Sequence, residues 1–496
     1  MSEPVLTAVE PNTAAHFTQP MIVPTGFREY DARWRYPEQI NLPGFTAIGL
    51  GLATQMHEAG IAPRIVVGCD YRAYSLPVKQ ALMLGLMQGG VDVFDIGVAI
   101  TPMAYFAQTH VGGAAVAMVT ASHNPNGWTG VKMGLVPPLT HGPDEMARLK
   151  AIVLGGEGVV RPGGAWRAVD VRAAYLDDLS SGARLSRPLK VVVACGNGGA
   201  GLVAPELLRR IGAEVVERHC TPDHAFPHYN PNPEALEMLH DMAAAVAESG
   251  ADFALGFDGD GDRCGVVDGT GREIFADKVG VMLARDWIVQ HPGARFVVDV
   301  KSTGLFLADP ALAEAQTDYW KTGHSHMKRR VAALGALAGF EKSGHYFLAP
   351  PIGRGYDCGM RVAVEVCRLL DRHPEASLAD LHDALPPSWS TPTLSPACPD
   401  SEKYAVAERL TARLAAMHAA GEPFAGRAIR EVVTVNGARV ILEDGAWALV
   451  RPSSNTPNLV VVCESFASEA DMRAIFAAID ALIRTEPAVG AYDQLP

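Results

Sequence analysis

Short β-branched runs alternate along most of the chain with longer stretches whose apolar residues recur at helical spacing. Ile65–Val67, Val191–Val193 and Phe296–Val300 each lead into a turn and a helix-like segment. A second strand candidate follows each of them: Val91–Ile96, Glu214–Glu217, and a weaker one around Tyr319. A third comes next, at Ala115–Thr120, Phe253–Phe257 and Leu337–Phe340. Strands alternating with helices predict βαβ units and mostly parallel sheets. The repeated plan predicts three similar mixed α/β sandwich domains.

Beyond Pro386 the texture changes. Pro386, Pro387, Pro392 and Pro396 mark a linker-like stretch. Val432–Val435, Asn436-Gly437 and Ala438–Leu442 read as a hairpin with a two-residue turn. Trp447–Val450 and Leu459–Val462 add two strands, and Glu469–Ile483 reads as an amphipathic helix. The overall expectation is an α/β chain of four domains. Three α/β domains span residues 1–168, 169–272 and 273–386, and a C-terminal α+β domain with an antiparallel sheet spans 387–496. The proline-rich joint suggests a hinge on which the last domain closes.

The third strand of every α/β unit runs into a polar loop: TASHNP at Thr120–Pro125, DGDGDR at Asp258–Arg263, and EKSGH at Glu341–His345. Open α/β sheets bind ligands at the carboxyl ends of their strands, so the three loops are expected to converge on one cleft. In the first, the Ser122 hydroxyl and His123 follow a buried strand. In the second, Asp258, Asp260 and Asp262 alternate with glycines. Carboxylates so close repel unless a cation lies between them, and hard oxygen ligands select magnesium or calcium. An EF-hand is excluded, because its sixth position is Arg263 and its twelfth Gly269. Arg263 suits an arriving anion. In the third, Glu341 and Ser343 offer acceptors for sugar hydroxyls, with His345 alongside.

Other stretches are less specific. Arg451, Ser453, Ser454, Asn455 and Thr456 supply a guanidinium, hydroxyls and amides of the kind a phosphate needs. Lys321, His324 and Lys328 read singly as surface charge. Gly196–Gly201 fits GxGxxG after a strand, with Glu217 about twenty residues on. An NAD(P)-dependent dehydrogenase is therefore one alternative, although it leaves the aspartates and the serine loop unused. A magnesium-dependent sugar-phosphate binder without catalysis is another, although a binder has no need of Ser122. Metal, cations and positioned hydroxyls together make the set required for phosphoryl transfer.

At 496 residues with net charge -13, the chain is not expected to bind nucleic acid. The 8 cysteines show no CxxC pair and fit a reducing compartment. With no secretory signal and no bilayer-spanning run, the expectation is a cytoplasmic protein without membrane partners. Residues before Met21 read as a loose polar extension.

From about Phe27 to the C-terminus, these motifs in this order resemble the α-D-phosphohexomutase superfamily, and most closely its bacterial phosphomannomutase/phosphoglucomutase group. TASHNP is similar to the family's phosphoserine loop, which implies that Ser122 carries the phosphoryl group. DGDGDR is similar to its magnesium loop, with Asp258, Asp260 and Asp262 as ligands beside Ser122. GFEKSGH is similar to the sugar-reading loop, giving Glu341 and Ser343 to the hexose hydroxyls. RPSSNTP is similar to the phosphate-binding loop, giving Arg451, Ser453, Ser454, Asn455 and Thr456 to a phosphate. FREYDAR matches an N-terminal segment and brings Tyr30 and Arg33 to the site, while Lys132, Arg263, Lys301, His324 and His345 fall on matching positions.

The resemblance implies reversible exchange of hexose 1-phosphate and hexose 6-phosphate, of mannose or glucose, through a bisphosphorylated intermediate. A hexose 1,6-bisphosphate serves as activator. Arg33, His123, Lys132 and His345 become candidates for proton transfer or charge stabilisation. A monomer or weak dimer acting on small hexose phosphates is expected. The chain departs from the family at Thr129, where asparagine is usual, at Trp34, where glycine is usual, and at Ser454-Asn455.

Overall fold

The computed structural model describes residues 9–10, 12–454 and 456–495. The chain divides into two compact units. One comprises the residues up to Ile274 together with Gly344–Ala379, the other Phe275–Ser343 together with the residues from Asp380 onward.

The first unit holds two mixed sheets. The six strands of the first are Ala32–Arg35 (β1), Arg64–Cys69 (β2), Asp92–Val98 (β3), Ala115–Val119 (β4), Trp128–Gly134 (β5) and Trp166–Ala168 (β6), in the order β1-β5-β4-β2-β3-β6. β4, β2, β3 and β6 run parallel, whereas β5 returns antiparallel beside β4, with β1 outside it. The second sheet contains Lys190–Ala194 (β7), Glu214–Arg218 (β8), Phe253–Phe257 (β9), Cys264–Asp268 (β10) and Glu273–Ile274 (β11), in the order β11-β10-β9-β7-β8. Here too the strand after the polar loop turns back antiparallel. The serine and aspartate loops therefore close hairpins rather than leading into helices as βαβ units do.

Apolar alternation explains the burial. β4 and β9 are buried along their whole length, as strands covered by helices on both faces must be. The helix Leu42–Glu58 contributes Phe45, Ile48 and Leu52 to the apolar core that also takes Ile65 and Val67 of β2 and Ala115, Ala117 and Val119 of β4. Trp34 lies fully buried in the same core, edge-on to Phe27 and Phe45, and its indole Nε1 donates to Val23 O at 2.8 Å. The N-terminal extension is not loose where it is described. Ala14–Thr18 is helical, and Asn41 Nδ2 donates to His16 O and Gln19 O, both at 2.8 Å.

The second unit begins with a parallel sheet of Arg295–Asp299 (β12), Gln316–Trp320 (β13) and Ala338–Phe340 (β14), with β12 central. The chain then passes into the first unit, which takes Tyr346–Leu348 (β15) and the helix Gly359–Arg372. Back in the second unit, Trp389–Ser390 (β16), Ile429–Val433 (β17), Ala438–Leu442 (β18), Trp447–Pro452 (β19) and Leu459–Ser465 (β20) form an antiparallel sheet in the order β16-β20-β19-β18-β17. The helices Lys403–Ala420 and Glu469–Ile483 cover one face.

Two expectations change here. The proline-rich stretch is not a free tether: Trp389 pairs with Ser465, and Leu394 and Pro396 bridge to Val461 and Tyr492. Proline suits such edge positions, where no ladder N–H is needed. The hairpin before β18 has a longer turn than two residues, since β17 ends at Val433 opposite Arg439. A Cβ on Gly437 would lie 2.3 Å from Val450 O, so the glycine lets the turn lie against β19.

The other face of the antiparallel sheet packs Trp447, Leu449 and Val462 against Val300 after β12. Arg439 is buried there between the Trp447 and Tyr319 rings, 3.7 and 4.2 Å from their centroids, and donates to Val300 O and Ser302 O. Glu464 accepts from Thr303 Oγ1, Gly304 N and Trp447 Nε1 at 2.6–2.7 Å.

Candidate active site

The serine loop is shaped by its backbone. Ser122 has φ 52, the left-handed region that side chains other than glycine seldom adopt. Ser122 N donates to Thr120 Oγ1 at 2.9 Å, and its buried Oγ donates to Asp258 Oδ2 at 2.9 Å. The loops of the two sheets thus meet inside the first unit. Gly259 permits the contact, because a Cβ there would stand 2.7 Å from Ser122 O.

Oxygens of Asp258, Asp260 and Asp262 lie within 4.8 Å of one another, and all three residues are fully buried. Lys132, on the returning strand β5, places Nζ 2.8 Å from Asp260 Oδ2 and also donates to Asp262. Thr101 Oγ1 and Thr120 Oγ1 donate to the same Asp260 oxygen at 2.6 and 3.2 Å. Arg263 Nε stands 3.7 Å from Asp258, and its Nη1 donates to Glu234 at 3.0 Å. His345 Nε2 lies 3.4 Å from Asp262 Oδ1 and 3.8 Å from Asp357. Arg33 donates to Asp31 and to Asn124 Oδ1. Tyr30 is buried nearby in sequence.

Burial and the two neighbouring carboxylates push Asp258 well above the usual carboxylate range, against Arg263 and Lys132. For Asp260 and Asp262 burial also pushes upward, but the Lys132 ammonium outweighs it and both are lowered. Burial disfavours the Lys132 charge, yet Asp260 and Asp262 raise its pKa and keep it a fixed cation. Burial, with Arg263 and Arg33 beside it, holds the His123 imidazole well below its ordinary value. His123 is therefore neutral near pH 7.

The acidic loop fits a divalent cation. Asp260 Oδ1 is buried without a hydrogen-bond donor. Three hard carboxylate oxygens converge there, and the repulsion of Asp260 and Asp262 that, besides burial, raises the Asp258 pKa is what a cation between them would relieve.

In the second unit, Glu341 Oε1 accepts from Gly323 N at 2.5 Å, and Ser343 Oγ donates to Glu341 Oε2 at 3.4 Å. Asp299 is the centre of this group. It accepts from Ser302 Oγ, Thr322 Oγ1 and Lys342 N, and Lys301 Nζ stands 4.0 Å away. Lys328 and His324 are buried with Nζ 3.4 Å from Nδ1, which corrects their reading as surface charge. Arg451 donates to Asn436 Oδ1 and Pro452 O, while Ser453 and Thr456 join hydroxyls at 2.7 Å. Ser454 is half-buried, and Asn455 lies outside the described residues.

The first unit thus brings together Arg33, Ser122, His123, Lys132, Asp258, Asp260, Asp262, Arg263 and His345. The second holds Lys301, His324, Glu341, Ser343 and the Arg451 loop. Thr101, Glu234, Asp299 and Asp357 escaped the sequence reading; Asp299 alone had a local signal, standing at a strand's carboxyl end. The glycines at 196–201 serve as support: Gly199 N donates to Gly259 O at 3.2 Å, and Glu217 is occupied by Arg209. Nothing at that turn favours a dinucleotide.

Comparison with known proteins agrees. Profiles of phosphoglucomutase/phosphomannomutase α/β/α domains I, II and III match residues 24–157, 173–271 and 275–389, and that of the C-terminal domain matches 397–482. A phosphomannomutase/phosphoglucomutase of Pseudomonas putida is 32% identical over 474 residues, covering 95% of this chain and 98% of its own. A phosphoglucomutase of Neisseria gonorrhoeae is 33% identical over 88% of this chain and 92% of its own. A solved structure of a phosphoglucomutase/phosphomannomutase family protein from Burkholderia thailandensis superposes with TM-score 0.85 at 30% identity, covering 95% of this chain and 99% of the other. Among the described residues, no helix is long and apolar enough to cross a membrane. Motifs, fold and relatives place the chain in the phosphoglucomutase/phosphomannomutase family.

Proposed function

We propose that this hexose-phosphate mutase interconverts the 1- and 6-phosphates of glucose and mannose through phosphorylated Ser122 and a bisphosphorylated sugar. The observation that carries this reading is Ser122 itself: a hydroxyl on a left-handed backbone, 2.9 Å from the first carboxylate of the acidic loop.

In the first half-reaction the bond between phosphorus and Ser122 Oγ breaks. A sugar hydroxyl oxygen bonds to phosphorus, and its proton passes to a base. In the second, the sugar's other phosphate returns to Ser122 Oγ and the proton is given back. Lys132 stays protonated and acts as fixed positive charge, as do Arg33 and Arg263. The neutral ring of His123, 3.4 Å from Ser122 Oγ, is the group suited to carry the proton, with the His345 ring beside Asp262 as the second candidate. Magnesium held by Ser122, Asp258, Asp260 and Asp262 supplies charge that offsets the phosphoryl oxygens.

Tyr30, Lys301, His324, Glu341 and Ser343 bind the substrate, Glu341 and Ser343 at its hydroxyls. Arg451, Ser453, Ser454, Asn455 and Thr456 hold the phosphate that is not transferred. A hexose 1,6-bisphosphate restores phosphate to Ser122 when the intermediate escapes. The eight buried free cysteines suit a reducing, cytoplasmic setting. Both central loops come from one chain, so a monomer or weak dimer suffices. Phosphopeptide mapping after incubation with glucose 1,6-bisphosphate tests the reading: phosphate on Ser122 is expected, and its absence there overturns it.

A further inference from the structure

Three consecutive carbonyl groups of the serine loop are each taken by a side chain. Arg72 Nη2 donates to Ser122 O at 2.9 Å and to Asn124 O at 2.6 Å. Asn230 Nδ2, from a loop of the second domain, donates to His123 O at 2.5 Å. Arg72 is itself fixed. Its Nη1 donates to Asp70 Oδ2, and Asp70 also accepts from Ser75 Oγ at 2.5 Å and from Ala121 N at 3.4 Å. Asp70 N donates in turn to Val119 O at 2.9 Å, locking the end of β2 to the last residue of β4. Asp70 and Arg72 are 2% and 4% exposed, so no surface role accounts for them.

We infer that Asp70, Arg72 and Asn230 are positioning residues that hold Ser122 in its left-handed conformation, with Oγ turned toward the acidic loop. The inference rests on Ser122 being the phosphoryl carrier. A non-glycine residue at positive φ is strained and persists only where its surroundings over-determine it. Here the strain is opposed at both ends of the loop. Ser122 N is fixed by Thr120 Oγ1, and the carbonyls of residues 122, 123 and 124 by Arg72 and Asn230. The guanidinium suits the task because its planar fork can grip a carboxylate on one nitrogen and two carbonyls on the other. A lysine ammonium sends its three N–H donors from one nitrogen and cannot span the three oxygens. Release of the clasp lets residue 122 relax to negative φ and carries Oγ away from Asp258.

The test compares wild type, Arg72→Lys, Arg72→Ala and Asn230→Ala by steady-state kinetics and by hydrogen exchange of the peptide containing residues 120–126. Displacing a reacting atom by about an ångström costs roughly a hundredfold in rate. Arg72→Lys is expected to lose about that much kcat with KM for hexose phosphate nearly unchanged, and to exchange faster in this peptide than in β4. Asn230→Ala is expected to show the same signature more weakly, and guanidinium ion to restore part of the rate to Arg72→Ala. Wild-type kcat and wild-type exchange in Arg72→Lys would overturn the inference, as would a rise in KM alone. Faster loop exchange in the variants of a wild type that turns over no hexose phosphate would uphold the clasp and overturn the proposed function instead.

Discussion

Ser122 Oγ donates to Asp258 Oδ2 at 2.9 Å, across 136 positions of sequence and two separate sheets. The hydroxyl proposed to carry phosphate and the carboxylates proposed to hold metal therefore form one buried cluster. Its polar groups are satisfied unevenly, and that unevenness makes the cluster testable without substrate.

A divalent ion that neutralises three buried carboxylates binds the folded chain only. Magnesium is therefore expected to raise the melting temperature, by the equivalent of about 2.7 kcal/mol at a hundred times its dissociation constant. Asp260→Asn should lose most of that shift. Melting curves with chelator and with excess magnesium check this, and equal shifts in wild type and variant would contradict it.

Lys132 is the cation built into the cluster. Lys132→Met removes the partner of Asp260 and Asp262 and leaves their charges in a buried site. Breaking a buried pair in this way costs about 3–5 kcal/mol. The loss is expected to be large in chelator and smaller in magnesium, read by urea unfolding under both conditions. A loss independent of magnesium would separate Lys132 from the metal site.

Much of this architecture was legible in the chain. β4 and β9 are unbroken runs of apolar residues and glycine, and β12 has the apolar centre Phe296–Val298, the pattern that burial on both faces demands. What was hidden depended on partners distant in sequence. β5 reads WTGVKMG, and its glycines and lysine conceal a strand that is buried because Lys132 has carboxylates to meet. Lys328 and His324 resemble surface charge until a pocket for them is seen. Arg72 and Asp70 stand two residues apart after β2, and only the tertiary fold brings them under Ser122. Trp34 fills core space between Phe27 and Phe45. The twofold division of the chain, with its crossing between Ser343 and Gly344, leaves no mark on composition.

Arg439 makes a further claim about the second unit. Arg439→Met forfeits two charge-assisted hydrogen bonds and the contacts with Tyr319 and Trp447, a loss on the order of 3 kcal/mol. Denaturant unfolding checks it, and a change within 0.5 kcal/mol, as expected for an ordinary surface residue, would contradict it.

Asp241 carries a pH signature. Burial pushes its carboxyl up, but Arg218 and Tyr229 outweigh this and hold it below the ordinary value. The unfolded chain then binds more protons as pH falls through the carboxylate range. The stabilisation is present above about pH 3.9 and is lost as pH drops toward the lower folded value. Asp241→Asn should be less stable than wild type at neutral pH, and the gap should close in strong acid. A gap unchanged in acid would contradict the assignment.

The most direct measurement is turnover of glucose 1-phosphate and mannose 1-phosphate, with magnesium and a trace of hexose 1,6-bisphosphate, by wild type and Ser122→Ala. Conversion to the 6-phosphates by wild type and a fall to background in the variant are expected, with melting temperature little changed. Undiminished turnover by folded Ser122→Ala, or none by a folded wild type phosphorylated on Ser122, would contradict it.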